Sequence, residues 1–254
     1  MQLSDKVVVI TGAGSGMGRA MAHRFAAAGG RIVAAEWNAA ALTAVVDEVT
    51  SAGGRIVGVE GNVAVEADCA RIIDTAVQSY GRLDVLVNNA GVMDTNQGVG
   101  EMGNAMWERV LGINLNGPMF LSRLAVPRMV AQGGGSIVNV ASVAGLGGGA
   151  AGAAYTTSKH ALIGLTRSTA FVYAPDGVRC NAIAAGAVAT NIMQSVDASQ
   201  FDAKASARFQ TWYAAIPATL EAADIAELAL FLASDASKRI NGAVIPADGG
   251  WSAA

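Results

Sequence analysis

The sequence predicts an α/β fold, a doubly wound, mostly parallel seven-stranded sheet with helices on both faces. Three observations carry that prediction. Short β-branched runs alternate with longer Ala-rich stretches of helical period. Hydrophobic residues make up 52% of the chain, drawn mostly from Ala, Val, Ile and Leu, with aromatics at only 6%. That mixture suits helices packed against strands covered on both faces. No linker rich in Pro, Ser or charge divides the chain, so residues 1–254 read as a single domain.

The elements follow in order. A first strand, Lys6–Thr11, runs into a Gly-rich turn and a helix over Gly16–Ala28. A second, Arg31–Glu36, precedes a helix over Ala39–Ala52, and a third, Arg55–Val59, precedes one over Glu66–Tyr80. The fourth strand, Val85–Asn88, leads to a long helical stretch, Met106–Val130. The fifth, Ser136–Ala141, is followed by a Gly/Ala tract, Gly145–Ala154, flexible by composition, and a helix over Tyr155–Tyr173. Arg179–Ile183 and Ala243–Pro246 complete the sheet, with a helix over Ala222–Leu232 between them. Strand–helix alternation of this kind implies right-handed crossovers and parallel strands. Residues 190–217 break the rhythm and carry Met193, Phe201, Phe209, Trp212 and Tyr213. Ligands of open α/β sheets bind outside the carboxyl ends of the strands, so this segment is expected to cover a substrate.

Composition removes several classes of function. Net charge is −3, pI is about 5.4, and no basic run exists to track phosphates, so a nucleic-acid partner is not expected. No apolar stretch approaches the roughly 20 residues that span a bilayer. Met1–Lys6 passes directly into the first strand without a leader pattern. Cys69 and Cys180 are far apart with no metal-ligand spacing and read as buried free thiols of a cytoplasmic protein.

Thr11-Gly12-Ala13-Gly14-Ser15-Gly16-Met17-Gly18 links the first strand to the first helix. Glycines there let a backbone turn approach a pyrophosphate, which the amides and dipole of the helix N-terminus favour. Such a turn alone is weak evidence and can be a turn with no ligand. The second strand, however, ends in Glu36, whose carboxylate can accept the adenosine ribose hydroxyls and repel a 2′-phosphate. Neither Ala13, Ser15 nor Trp37 supplies a cation for that phosphate, so NAD is expected over NADP. Asn88-Asn89-Ala90-Gly91 closes the fourth strand; its Asn side chains can tie strands, and Ala90-Gly91 leaves room for a ligand against the backbone.

Tyr155 and Lys159 stand four apart, on one face of a helix. An ordinary phenol is a poor base at neutral pH, and a neighbouring ammonium favours the phenolate. An isolated pair of this kind is more often a surface pair. Together, though, TGAGSGMG, NNAG, Asn114, Ser142 and YTTSK are similar in order and spacing to the short-chain dehydrogenase/reductase family, over essentially the whole chain to Asp248-Gly249-Gly250.

The resemblance implies a Rossmann-type fold of the compact single-domain branch and a homotetramer. It implies that Tyr155 is the general acid/base, and that Lys159 binds the nicotinamide ribose and lowers the Tyr155 pKa. Ser142 would hydrogen-bond the substrate oxygen, and Asn114 would hold a water in the proton relay. Around the cofactor it implies Gly12, Ser15, Gly16, Met17 and Gly18 at the pyrophosphate, and Glu36 and Trp37 at the adenosine ribose. Asn62, Val63, Asn89, Ala90 and Gly91 would lie along the adenine and ribose. Gly186, Val188 and Thr190 would lie at the nicotinamide, with Gly186 also beside substrate.

The chain departs from the family pattern at three places. Asn62 stands where Asp is frequent, Ala185-Gly186 replaces a Pro-Gly and so is expected to loosen the backbone, and Asn241 replaces a Thr. Further substrate candidates are Met93, Met193, Trp212 and Tyr213, although core packing or subunit contact explains such residues equally well. His23 and His160, without acidic or Cys partners in the pattern, suggest no metal. The expected function is hydride transfer between NAD and a small, largely apolar secondary alcohol or ketone. A 3-oxoacyl thioester reductase is the enzymatic alternative, opposed by Glu36 and by the scarcity of Lys and Arg around Ala131–Gly133 and Thr169–Phe171. An NAD-binding sensor or scaffold is the non-enzymatic one, opposed by the joint presence of Asn114, Ser142, Tyr155 and Lys159.

Overall fold

All seven expected strands form in a computed structural model, in which residues 2–253 are described. They are β1 (Val7–Thr11), β2 (Arg31–Glu36), β3 (Arg55–Glu60), β4 (Val85–Asn88), β5 (Gly135–Val140), β6 (Val178–Ala185) and β7 (Val244–Ala247). The order is β3-β2-β1-β4-β5-β6-β7, with every pairing parallel. The winding reverses between β1 and β4, which opens a crevice at their carboxyl ends. This is the Rossmann-type arrangement that the sequence predicts.

Helices cover both faces. On one side α1 (Gly16–Ala27), α2 (Ala39–Ser51) and α8 (Ala222–Ala233) bury Met21, Phe25, Val45, Ile225 and Leu230 against a sheet face formed by β1, β2, β4, β5 and β6. On the other, α3 (Glu66–Tyr80) and α5 (Gly117–Ala131) bury Cys69, Ile72, Leu121 and Met129, with Ala170 of α6 (Ala153–Tyr173) beside them. Burying side chains of this size contributes about 1.5–3 kcal/mol each, which fixes the sheet as a rigid base for the loops above it. Among the described residues no helix is long and apolar enough to cross a membrane.

Two stretches differ from the sequence reading. The single helix expected over Met106–Val130 is α4 (Asn104–Leu111), a π turn over Gly112–Asn116, and then α5. Pro118 has no amide to donate to the carbonyl of Asn114, so the regular ladder cannot continue through this point, and the wider turn absorbs the break. Residues 190–217, read as irregular, contain α7 (Ala203–Tyr213). None of its side chains is fully buried; its apolar stripe, Ala205, Phe209, Trp212 and Tyr213, is short and only half-buried.

Candidate active site

The glycine turn is built as a cradle. Gly12 and Gly16 have left-handed φ values of 63° and 49°. A Cβ on Gly18 would lie 1.9 Å from the Gly12 carbonyl oxygen, and one on Gly14 would lie 2.9 Å from Cγ of Glu36. The first turn of α1 has neither a side-chain cap at Ser15 nor an acidic residue, so its amides point outward without an anionic partner from the chain. Oδ1 of Asn89 is buried without a partner, while its Nδ2 donates to the carbonyls of Thr11 (2.9 Å) and Gly12 (3.2 Å). A bare cradle, an uncapped helix and an orphaned acceptor together fit a phosphate-bearing nucleotide.

Glu36 is only 6% exposed. Its Oε2 accepts from the Gly14 amide (3.1 Å), and Oε1 accepts from the amides of Trp37 (3.0 Å) and Asn38 (3.1 Å). Three amides fix the carboxylate at the cradle's edge. Trp37 is 74% exposed and walls an open cavity of about 650 Å³ that also meets Asn62, Asp68 and Arg71 at the edge of the sheet. This cavity lies at the β3 end and touches none of the four residues expected to do the chemistry. Asn62 caps a turn by accepting from the Ala64 amide at 3.0 Å, and Val63 is buried against Gly117. At the other end Thr190 closes on Gly16, whose added Cβ would lie 3.1 Å from its Cβ and Cγ2. Val188 forms a bridge with Leu220. Gly186 is not loosened by the missing Pro. Its amide donates to the Ala247 carbonyl at 2.9 Å, and Asp248 packs so near that a Cβ would lie 2.6 Å from that of Asp248.

Past the exit of β5, Tyr155, Lys159 and Ser142 come together. Tyr155 is 7% and Lys159 4% exposed, on one face of α6, with Nζ of Lys159 5.4 Å from the Tyr155 ring centroid. Nζ donates to the carbonyl of Val140 at 2.9 Å, which anchors the amine to the last residue of β5. Ser142 lies close enough to the Tyr155 phenol to favour its ionised form, and its Oγ accepts from the Ala144 amide at 3.1 Å. Asn114, in the π turn, accepts from the Val92 amide (2.9 Å) and donates to the Val92 carbonyl (3.0 Å) and to Oγ of Ser158 (3.2 Å). Gly91 separates Asn114 from Lys159: a Cβ there would lie 3.4 Å from Oδ1 of the first and 3.7 Å from Nζ of the second.

Burial dominates the electrostatics. It pushes the Tyr155 phenol up to about 12; the hydrogen bond with Ser142 opposes this, and the charge of Asp94 adds to it. Burial likewise pushes Lys159 down to about 8. In this protein without its dinucleotide, desolvation sets the direction of the Tyr155 shift, upward. The site is a protonated phenol beside an amine that titrates close to neutrality.

An apolar lining adjoins Tyr155. Met93, Met102, Met106, Trp107 and Ile192 pack against the buried cluster that Tyr155 forms with Val110, Ala144, Ala151 and Ala154. Met193 is 51% exposed and lies outside that group. Trp212 and Tyr213 of α7 stack near Trp251, at centroid distances of 5.6 and 6.4 Å, and Tyr213 Oη donates to the Ala150 carbonyl at 3.2 Å. The segment thus folds back over the Gly/Ala tract. Several contributors escape a reading of the sequence. Ser158 joins Asn114 to the Tyr155 carbonyl (2.7 Å), Arg109 donates to the Ser195 carbonyl (2.6 Å), Trp251 donates from its indole to the Trp212 carbonyl (2.9 Å), and Asp94 lies under α6. Each acts through a contact distant in sequence. Only the alternating Ser158 position, between Tyr155 and Lys159, offered a local hint.

Comparison with known proteins agrees with this geometry. The family model described as enoyl-(acyl carrier protein) reductase matches residues 12–252. A 3β-hydroxysteroid dehydrogenase of Eggerthella lenta is 41% identical over 99% of this chain and 96% of its own length. A short chain dehydrogenase of Penicillium rubens is 40% identical over 98% of each chain. Among solved structures, a levodione reductase superposes with a TM-score of 0.90 at 33% identity, covering 99% of both chains. A candidate NAD(P)-dependent gluconate 5-dehydrogenase from Beutenbergia cavernae, holding NADP at low occupancy, gives 0.87 at 37% identity over 100% of this chain and 99% of its own.

Proposed function

The chain belongs to the short-chain dehydrogenase/reductase family, and from that premise we propose that it is an NAD-dependent oxidoreductase acting on an apolar secondary alcohol or ketone. The observation that carries the proposal is the buried meeting of Tyr155, Lys159 and Ser142 at the carboxyl end of the sheet, next to a bare glycine cradle. The dinucleotide, when bound, supplies the hydride acceptor or donor. Gly12, Ser15, Gly16, Met17 and Gly18 would hold its pyrophosphate, with Asn89, Ala90 and Gly91 along its length and Val188 and Thr190 at its far end.

In reduction, Tyr155 gives its phenolic proton to the carbonyl oxygen as negative charge develops there; in oxidation it takes the alcohol proton. Ser142 donates a hydrogen bond to the same oxygen. Burial that raises the phenol to about 12 keeps it protonated at neutral pH, so it gives up the proton only as negative charge builds on the carbonyl oxygen. The reverse reaction requires positive charge nearby, which Lys159 supplies in its protonated form. Asn114 holds the exit of β4 against α6 and keeps Lys159 in reach of the relay. The lining of Met93, Met102 and Met106 adds no fixed charge, and the names of the relatives, a hydroxysteroid dehydrogenase and a levodione reductase, favour an alicyclic body.

NAD is preferred because three amides fix the Glu36 carboxylate at the cradle's edge, where a 2′-phosphate would meet a charge that cannot swing away. We take the assembly to be the family's homotetramer in the cytoplasm, tested by sizing and fractionation. The acyl-thioester reading keeps one support, the description of the matching family model. A single screen separates the readings: alicyclic and steroid alcohols and ketones, diols, sugars and acetoacetyl thioesters, each with NAD(H) and NADP(H), followed by nicotinamide absorbance. Turnover of an alicyclic alcohol or ketone with NAD(H) is the expected result. Turnover of the thioester alone with NADPH would replace this reading, and none with any member would leave a nucleotide-binding protein without the chemistry.

A further inference from the structure

The chain between Gly91 and α4 packs three consecutive polar residues, Asp94, Thr95 and Asn96, almost wholly inside the protein, with Asp94 fully buried. No salt bridge among the described residues involves Asp94. Its carboxylate is held by amides: Oδ1 accepts from Asn96 (3.1 Å) and Gly152 (3.1 Å), and Oδ2 accepts from Tyr155 (2.9 Å). Between them, the Ala153 amide donates to the Gln97 carbonyl at 2.9 Å. Helix α6 has no side-chain cap at Gly152 and no acidic residue in its first turn, so its opening amides are satisfied from 94–97. The fit is close, since a Cβ on Gly152 would lie 2.6 Å from both Asp94 oxygens.

Two residues of the same segment, Thr95 and Asn96, grip α7. The Asp202 amide donates to the Thr95 carbonyl at 3.0 Å, and Nδ2 of Asn96 donates to Oγ of Ser206 at 3.2 Å. Asn96 adopts φ of 59°, uncommon for a residue with a side chain, and this turns its amide toward α7. One short segment therefore joins the start of the Tyr155 helix to the helix folded over the substrate side.

We propose that Asp94 is a positioning residue that fixes Tyr155 through the backbone of α6 and, with Thr95 and Asn96, couples that helix to α7. This rests on the reading of Tyr155 as the proton-transfer group. The groups that face the phenol are Lys159 from its own helix, Ser142 from the exit of β5 and Asp94 from the exit of β4, while Arg109 of α4 turns to the carbonyls of Met93 and Ser195. Asp94 is the negative member of that set, so neutralising it makes the phenol easier to ionise.

Asp94→Asn keeps the shape and one acceptor oxygen but loses the charge and one amide contact. Three results are expected. Backbone amide exchange at residues 152–156 of the cofactor-free protein speeds up about tenfold. The kcat for alcohol oxidation falls about tenfold, with its rise moved to lower pH by roughly half a unit. NADH affinity, read by fluorescence, stays within about twofold, because Asp94 does not touch the glycine turn. Asp94→Ala should show larger effects in the same directions. Gly152→Ala, which forces the carboxylate aside without removing it, supplies an independent variant should Asp94→Asn fail to fold, and it should speed the same amides. Exchange and pH profile unchanged in a folded Asp94→Asn or Gly152→Ala protein would overturn the proposal. Faster exchange in a protein whose Tyr155→Phe variant still turns over would instead uphold the clamp and reject the role given to Tyr155.

Discussion

Lys159→Met offers a test in which loss of function accompanies a gain in stability at neutral pH. Lys159 is buried, and burial lowers its pKa from 10.5 to about 8. The folded protein therefore binds this proton less tightly than the unfolded chain. Between the two pKa values the unfolded state carries more protons, so stability rises as pH rises and is lost as pH falls through about 8. The difference between those two values corresponds to about 3 kcal/mol that the folded state forfeits below pH 8 by holding a desolvated ammonium. Met fills similar volume without charge and recovers that amount, offset by about 1–2 kcal/mol because the Val140 carbonyl loses its donor. The diagnostic is the pH dependence. Urea unfolding of the cofactor-free protein should show wild type gaining about 2–3 kcal/mol relative to Lys159→Met between pH 7 and 10. The window stops at 10 because Tyr155, raised to about 12, contributes with the opposite sign above it. A difference between the two proteins that stays constant across this range would refute the argument that Lys159 is held at a desolvation cost.

Three further outcomes follow from the same structure. Gly18→Ala places a methyl 1.9 Å from the Gly12 carbonyl oxygen and should weaken NADH binding by about 100-fold in a fluorescence titration; an unchanged Kd would remove the cradle from the account. Glu36→Ser frees three amides and removes the charge at the cradle edge, so the ratio of kcat/KM for NAD over NADP should fall by about 10- to 100-fold. An unaltered ratio would show that Glu36 does not select the cofactor. Trp251→Ala loses the indole donor to Trp212 and two ring neighbours of α7, so KM should rise several-fold with kcat little changed, and the melting temperature should drop by about 5 °C. A KM equal to wild type would detach α7 from substrate binding.

What the sequence disclosed divides along physical lines. The inner strands β1, β2, β4 and β5 were legible because they are short buried apolar runs rich in Val and Ile, and β2 and β4 keep the expected ends. Glycine spacing was legible because the backbone conformation at Gly12 and Gly16 admits little else. The Tyr155–Lys159 pair was legible because four residues bring two side chains to one helix face. Less was visible where partners are far apart. The π turn at Gly112–Asn116 has a local cause in Pro118, but Asn114 is fixed by Val92, 22 residues away. Asp94 reads as an ordinary loop acid until the fold carries it 61 residues along the chain to the Tyr155 amide. Helix α7 hides because its apolar stripe is confined to Ala205, Phe209, Trp212 and Tyr213 in one short helix. The desolvation of Tyr155 is hidden for a related reason: proximity of Lys159 is a sequence fact, whereas burial belongs to the folded core.

The claim on which the rest depends is that the Tyr155 hydroxyl passes the proton while other residues bind and orient. Single-turnover hydride transfer, measured with a substrate accepted in the screen, tests it most directly in Tyr155→Phe. Loss of only the oxygen should slow the transfer by about 1,000-fold or more while NADH affinity holds within about twofold. A variant that transfers hydride at half the wild-type rate or better would contradict it.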